Sequence, residues 1–319
     1  MTLLHKLLTT TLLCFAAVLH ANAQFRPETS VLGTSFAING IVYKNIDGGV
    51  VAATALTSDN KLNGIVIIPE EVVYEKTKYK VTQIGTSSKS TGLGNASDIT
   101  FLSLPGSIKY ISPYAFKKCS KLREVKINEG ITQLGFSTFS GCTALDSVSL
   151  PSGLKELGYD VFSECTSLRH IKLPKELRTI NARAFKNCRG LISVTIPEGV
   201  ASIGECAFDG CSGLTSVTIP QSVTSIGSTA FSGCSGLTSV TIPRSVTSTG
   251  WYAFSRCSNL TSVTIQEGVT SIGNGSFNAC SGLTSVTIPQ SVTSIGTRAF
   301  KHCIYNHRTT KTNQKYPSV

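Results

Sequence analysis

The chain has 319 residues, with 29 basic against 18 acidic side chains for a formal net charge of +11, eleven cysteines and one tryptophan. The basic residues are scattered and no aromatics are interleaved with them for base stacking, which argues against a nucleic-acid binder and leaves a mild cationic bias on a low-charge surface. Beyond the first residues no stretch is apolar enough to span a bilayer.

The N-terminus reads as an export leader. Lys6 supplies a positive start, Leu7 to Leu19 (LLTTTLLCFAAVL) is an apolar core too short to cross a membrane, and Ala21-Asn22-Ala23 gives a small-x-small cleavage pattern. Cleavage is expected after Ala23, so 1–23 is assigned as a signal peptide and the mature protein is expected outside the cell or on its surface. Residues 24–81 read as a small β cap. Phe36 to Tyr43 has hairpin character, and Ile65 to Pro69 and Lys80 to Gly85 read as lead-in strands with a short insert at Tyr74 to Tyr79. Ile99, Leu102 and Leu104 then begin a degenerate first coil, in which Leu93 and Ala96 replace the Phe and Cys of later coils.

From there the chain is periodic. Cysteines at Cys119, Cys142, Cys165, Cys188, Cys211, Cys234, Cys257, Cys280 and Cys303 follow one another every 23 residues. A phenylalanine column runs in the same step from Phe116 to Phe300, and a leucine column from Leu122 to Leu283. A register of this kind is what a solenoid needs, because every coil presents the same position to the same environment. Within a unit, Val217 and Ile219 alternate with Ser216 and Thr218, the period of a strand with one buried face. Pro220 ends that strand, Val223 and Ile226 re-enter the core, Gly227 permits a turn, and Ala230-Phe231 closes the coil. Residues 82–303 are thus expected to form one elongated array of short strands and turns. At about 4.8 Å per coil, roughly ten coils span on the order of 45 Å.

The motif C-x-x-L-x-x-V-x-I-P-x-x-V-x-x-I-G, followed by A-F, resembles the leucine-rich repeats of the BspA-like type found in bacterial surface proteins. That resemblance implies a leucine-rich-repeat solenoid and a role in adhesion to extracellular matrix or other cells. After Cys303 the Leu, Val and Ile columns would fall on Asn306, Thr309 and Lys311, so 304–319 reads as a basic polar tail. Two expectations follow: a truncated family member, or an open C-terminal edge available for self-association.

The column cysteines are odd in number, lie parallel on adjacent coils and lack C-x-x-C pairing, so they read as buried small hydrophobes rather than disulfides or a metal site. Cys206 stands apart. Its column otherwise holds Tyr114, Ser137, Asp160, Arg183, Thr229, Tyr252, Gly275 and Arg298, the variety of a solvated position, and an exposed thiol there could link two chains. A Ser147–His170 pair with Asp146 nearby can be drawn, but an open sheet face offers no pocket or oxyanion hole. No catalytic residue, cofactor or metal is therefore expected. Trp251 is read as filling the defect left where Thr249 breaks the Ile column. On the outward strand positions the N-terminal half carries Arg123, Glu124, Lys126, Arg169, His170 and Lys172, whereas the C-terminal half is almost wholly Thr and Ser. The charged set is the candidate contact surface for a matrix protein, a glycan or another cell surface. The alternative is a structural or self-associating scaffold without a dedicated ligand.

Overall fold

The computed structural model describes residues 34–58, 62–86, 93 and 96–304. The leader and most of the basic tail, His307 included, lie outside the described residues. The chain opens with the hairpin strands β1 (Ser35–Ile38), β2 (Ile41–Asp47) and β3 (Val50–Leu56), each antiparallel to the one before. Next come β4 (Ile65–Ile67), β5 (Glu71–Tyr74) and β6 (Thr77–Ile84). The hairpin formed by β5 and β6 joins the first sheet through a parallel pairing of β6 with β3. Phe36, stacked on Tyr74 at 4.2 Å and tilted against Tyr79, closes the core of this sheet.

Two strands of this region also seed the solenoid. β4 pairs in parallel with β7 (Phe101–Leu104), and the end of β6 pairs in parallel with β8 (Tyr110–Ile111). β7 is followed one coil later by β9 (Glu124–Ile127) and then by Ser147–Ser149, His170–Ile171, Ser193–Thr195, Ser216–Thr218, Ser239–Ile242, Ser262–Ile265 and Ser285–Thr287. Where they are hydrogen-bonded these strands stack in register, Ser193 on Ser216 and Thr241 on Thr264. A second parallel series, from Gln133–Leu134 to Ser294–Ile295, carries the returning Ile column. Among the described residues the one helical segment is a 3-10 turn at Ala96–Asp98, and no helix is long and apolar enough to cross a membrane.

The third side of each coil is a turn that carries the Phe and Cys columns. Phe116 to Phe277 are all essentially inaccessible, and each ring stacks on the next at 5.1–5.6 Å with interplanar angles of 4–15° as far as Phe300. Offset stacking of this kind adds about 0.5–1.5 kcal/mol per pair beyond area burial. The cysteines do more than fill space. From Cys142 onward each column Sγ donates to the carbonyl of the phenylalanine in the preceding coil: Cys142 to Phe116 at 3.1 Å, Cys188 to Phe162 at 3.0 Å, Cys211 to Phe185 at 3.0 Å, and so on to Cys303 with Phe277. The same carbonyls accept the N–H of the cysteine in their own coil, as Phe185 does from Cys188. The column therefore selects a small side chain that is also a donor. All the described cysteines are free thiols, and no group of side chains among the described residues is arranged to hold a metal.

Two positions per coil take a left-handed backbone, a requirement hidden from the sequence. The column from Tyr114 to Arg298 that contains Cys206 has φ of 51–61° throughout, and the residue before each column cysteine, from Lys118 to His302, has φ of 58–75°. Only Gly141, Gly210, Gly233 and Gly275 meet this need without strain; for other residues it costs roughly 1–2 kcal/mol each. The glycine after the Ile column has a different duty. Its φ is not positive, but a Cβ at Gly250 would lie 2.4 Å from the Gly227 carbonyl, so the coils approach too closely there for a side chain.

The Ile column is interrupted once, and the repair is local. Thr249 is buried, with its Oγ1 2.7 Å from Ser276 Oγ and accepting the Gly273 N–H at 3.0 Å. Ser276 replaces the alanine usual in its column and donates to the same buried network. Trp251, expected to fill this defect, is instead 62% exposed, because its column points out of the turn.

Removing either hydroxyl, as Thr249→Val or Ser276→Ala, is expected to cost about 1 kcal/mol, and the double variant less than the sum; a double-mutant cycle in urea checks the coupling. Burial raises the Cys188 thiol from an ordinary 9.0 to about 12 and lifts Cys165, Cys211 and Cys234 in the same direction. A folded pKa above the unfolded one gives stability that is complete below the unfolded value and lost as pH rises through the folded value. The urea midpoint should thus fall between about pH 9 and 12, less steeply in Cys188→Ala.

Candidate functional site

On the primary sheet every second residue of a strand points outward, and the ladder sets these residues in rows across coils. Glu124 of β9 faces Ser147 and Lys126 faces Ser149; His170 faces Ser193 on its C-terminal side. Arg123, Lys126, Arg169, His170 and Lys172 are exposed and Glu124 half-buried. Among the described residues His170 has no hydrogen bond to Ser147, so that drawn pair is not joined.

The charged set divides in two. Lys126 Nζ lies 3.1 Å from Glu124 and 5.3 Å from the centroid of the Phe101 ring, so Glu124 and Lys126 satisfy one another. Arg169 and Lys172 make no ion pair among the described residues and keep their charge for solvent or a partner. An exposed pair of the Glu124–Lys126 kind adds under about 1 kcal/mol to stability, so its effect is mainly to hold the two side chains in place.

Sequence reasoning missed the other component of this face. In β4 Val66 is buried and Ile65 and Ile67 point out, both exposed; Ile65 pairs with half-buried Phe101 and Ile67 with Ser103. The face thus begins at its N-terminal edge with an apolar strip of Ile65, Ile67 and Phe101 and passes directly into the charged rows. The signal available was the run Ile65-Val66-Ile67, in which a strand that buries Val66 must turn both isoleucines outward. In the opposite direction the hydroxyl rows are engaged internally: Thr215 Oγ1 donates to the Ile192 carbonyl at 3.2 Å and Thr261 Oγ1 to Thr238 at 3.1 Å, each one coil back.

Cys206 lies on a different side, in the turn. It is half-buried rather than solvated, with Sγ 2.9 Å from Thr229 Oγ1. What its varied column shares is the left-handed backbone, which a cysteine tolerates at a cost, and not free exposure.

Residues 89–215 and 178–307 match the BspA type leucine rich repeat region, in six copies. Among solved structures, a leucine-rich repeat protein from Bacteroides ovatus is similar at 24% identity and TM-score 0.53, over 84% of this chain and 92% of its own. A leucine rich repeat protein of T. pallidum is similar at 23% identity and TM-score 0.50, over 71% of this chain and 91% of its own. At these identities the likeness is one of fold. No curated protein sequence matches the chain.

In the native chain a maleimide should label Cys206 while Cys165, Cys188, Cys211 and Cys234 stay unmodified until denaturant is added, because these four are buried, held protonated and out of reach. Peptide mapping after a timed pulse reads this directly; prompt labelling of Cys188 would contradict the buried ladder.

Proposed function

This chain belongs to the BspA-type leucine-rich repeat family, and we propose that it works as an exported, surface-associated or released binding protein that holds an extracellular macromolecule against the N-terminal half of its primary sheet. The observation that carries this reading is the change in character along one face. Ile65, Ile67 and Phe101 supply an apolar strip, and the coils that follow supply the charged side chains of Arg123, Arg169 and Lys172 and the imidazole of His170. Interfaces combine apolar contact area with polar and charged groups, and this face offers both side by side. The packed scaffold beneath needs little ordering on binding, which lowers the entropic cost of association. Guanidinium and ammonium groups in rows favour a partner that presents carboxylate or sulfate groups, a matrix protein or an acidic glycan. No catalytic residue or cofactor enters this reading.

A scaffold reading without a dedicated ligand is favoured by a separate observation. Residues 211–227 and 280–296 are identical over 17 positions, and the outward Thr hydroxyls of this half bond back to the preceding coil. On this reading Cys206 linkage or edge-to-edge association would join copies of the chain.

The test is binding of the intact chain, under reducing conditions, to immobilised matrix proteins, acidic glycans and whole cells, beside an Arg169→Glu/Lys172→Glu variant. Saturable binding weakened about tenfold or more in the variant is expected, with a marked loss at high salt. A folded, monomeric sample that binds nothing in the panel overturns the binding reading and leaves the scaffold.

A further inference from the structure

The turn side of the solenoid, away from the sheet face, carries a row of aromatic rings that packing does not explain. Phe136 is 36% exposed and Tyr159, one coil on in the same column, 48% exposed. At that position five of the six later coils hold Ala182, Glu205, Ser228, Asn274 and Thr297, so the fold accepts small and polar residues there and asks for no ring; the sixth holds Trp251, also exposed but without an aromatic neighbour in the next coil on either side of its column. Tyr114 completes the group. It is exposed, 5.2 Å from Phe136 edge-on, while Phe136 and Tyr159 lie 6.3 Å apart at an interplanar angle of 30°. Tyr114 is set by the left-handed backbone that its column has in every coil, and the ammonium of Lys117 sits 4.9 Å from its ring centroid. Large aromatics left together in solvent, at a column where most coils do without a ring, are a surface kept for contact.

Tyr114 and Phe136 wall an open hollow of about 430 Å³ that crosses three coils, within the size range of a small-ligand site. The rest of its lining is polar and charge-balanced: Lys117 and Lys118 against Asp160 and Glu164, with Ser140 among them. Asp160 is fixed there by Arg183, whose Nε donates to both carboxylate oxygens at 3.0 Å. We propose that this hollow and the ring of Tyr159 beside it form a binding site for a neutral oligosaccharide.

The chemistry selects that class over others. A pyranose ring has an apolar C–H face that lies against an aromatic ring, and hydroxyls around its rim that need both donors and acceptors. The hollow supplies rings, ammonium and hydroxyl donors, and carboxylate acceptors within a few ångströms of one another. A lining in which Lys117 and Lys118 offset Asp160 and Glu164, with Asp160 already held by Arg183, does not call for a highly charged partner such as a nucleic acid, and a purely apolar segment would strip water from Lys118 and both carboxylates without replacing it. The staggered rings follow the coil axis, so a linear chain of sugars can run along them one ring at a time. This site is independent of the sheet face described above.

The experiment applies the intact chain to an array of neutral linear oligosaccharides, followed by calorimetric titration with the hexasaccharide that binds best. Phe136→Ala and Tyr159→Ala should each weaken binding about tenfold or more, since stacked rings in contact with ligand dominate such sites. Both rings are partly exposed at the surface, so the variants should stay folded with thermal melting lowered by only a few degrees, and Tyr159→Trp should keep the affinity. Arg169→Glu/Lys172→Glu, on the sheet face, should bind the sugar as the unaltered chain does. Absence of any neutral oligosaccharide from the bound set overturns the proposal, as does binding that survives both alanine variants or is lost in the sheet-face variant. A peptide that competes for the hollow while no sugar binds overturns it too.

Discussion

The structure depends on one carbonyl per coil. The Phe C=O takes the N–H of its own coil's cysteine and the S–H of the next coil's cysteine, so each turn is closed on itself and tied to its neighbour by the same atom. Buried carbonyls left short of donors are costly, and here the second donor is supplied by the smallest side chain able to bring a thiol to that point. The stacked rings, the leucine beneath and the strand that follows all inherit their position from that joint. Stability is consequently passed from coil to coil, as expected where each unit contacts only its neighbours.

The periodic part of this architecture was legible because burial repeats. The Phe and Leu columns meet one environment in every coil and keep one residue type, and the Val and Ile columns stay aliphatic apart from Thr249. Conformation repeats just as strictly at the column from Tyr114 to Arg298, yet leaves Tyr, Ser, Asp, Arg, Cys, Thr and Gly there. A left-handed backbone constrains φ and ψ while leaving the side chain in solvent or half-buried, so composition carries little trace of it. Variety was therefore taken for solvation at Cys206. At Trp251 size was taken for packing, although a neighbour, Ser276, had already adapted to Thr249.

The candidate surfaces were harder to read for the same reason. Looking down columns rewards sameness, and binding surfaces are departures from it. Arg169, His170 and Lys172 stood out against rows of Ser and Thr and were seen. Ile65 and Ile67 lie ahead of the periodic part, and Phe136 and Tyr159 stand in a column that also holds Ala182, Glu205 and Ser228, so no uniform residue type draws attention to them. Only the coil geometry places those rings side by side. The solenoid has in effect two kinds of surface: a sheet on which charge changes along the axis, and a turn side on which aromatic rings do.

The Thr249–Ser276 contact has a bearing on how such a chain finds its fold. Neighbouring coils are alike, and two segments are the same over 17 residues, so apolar burial alone hardly distinguishes correct stacking from stacking displaced by a whole coil. Thr249 and Ser276 distinguish it. If one 23-residue unit were looped out between them, Thr249 would meet the alanine of the following unit, Ala299, and two buried hydroxyls would lose each other, at a cost of about 1–3 kcal/mol apiece. A single polar contact placed in a repetitive core thus acts as a phase mark, in the way one buried polar residue sets the alignment of a coiled coil. The flaw in the Ile column tells the array where it is.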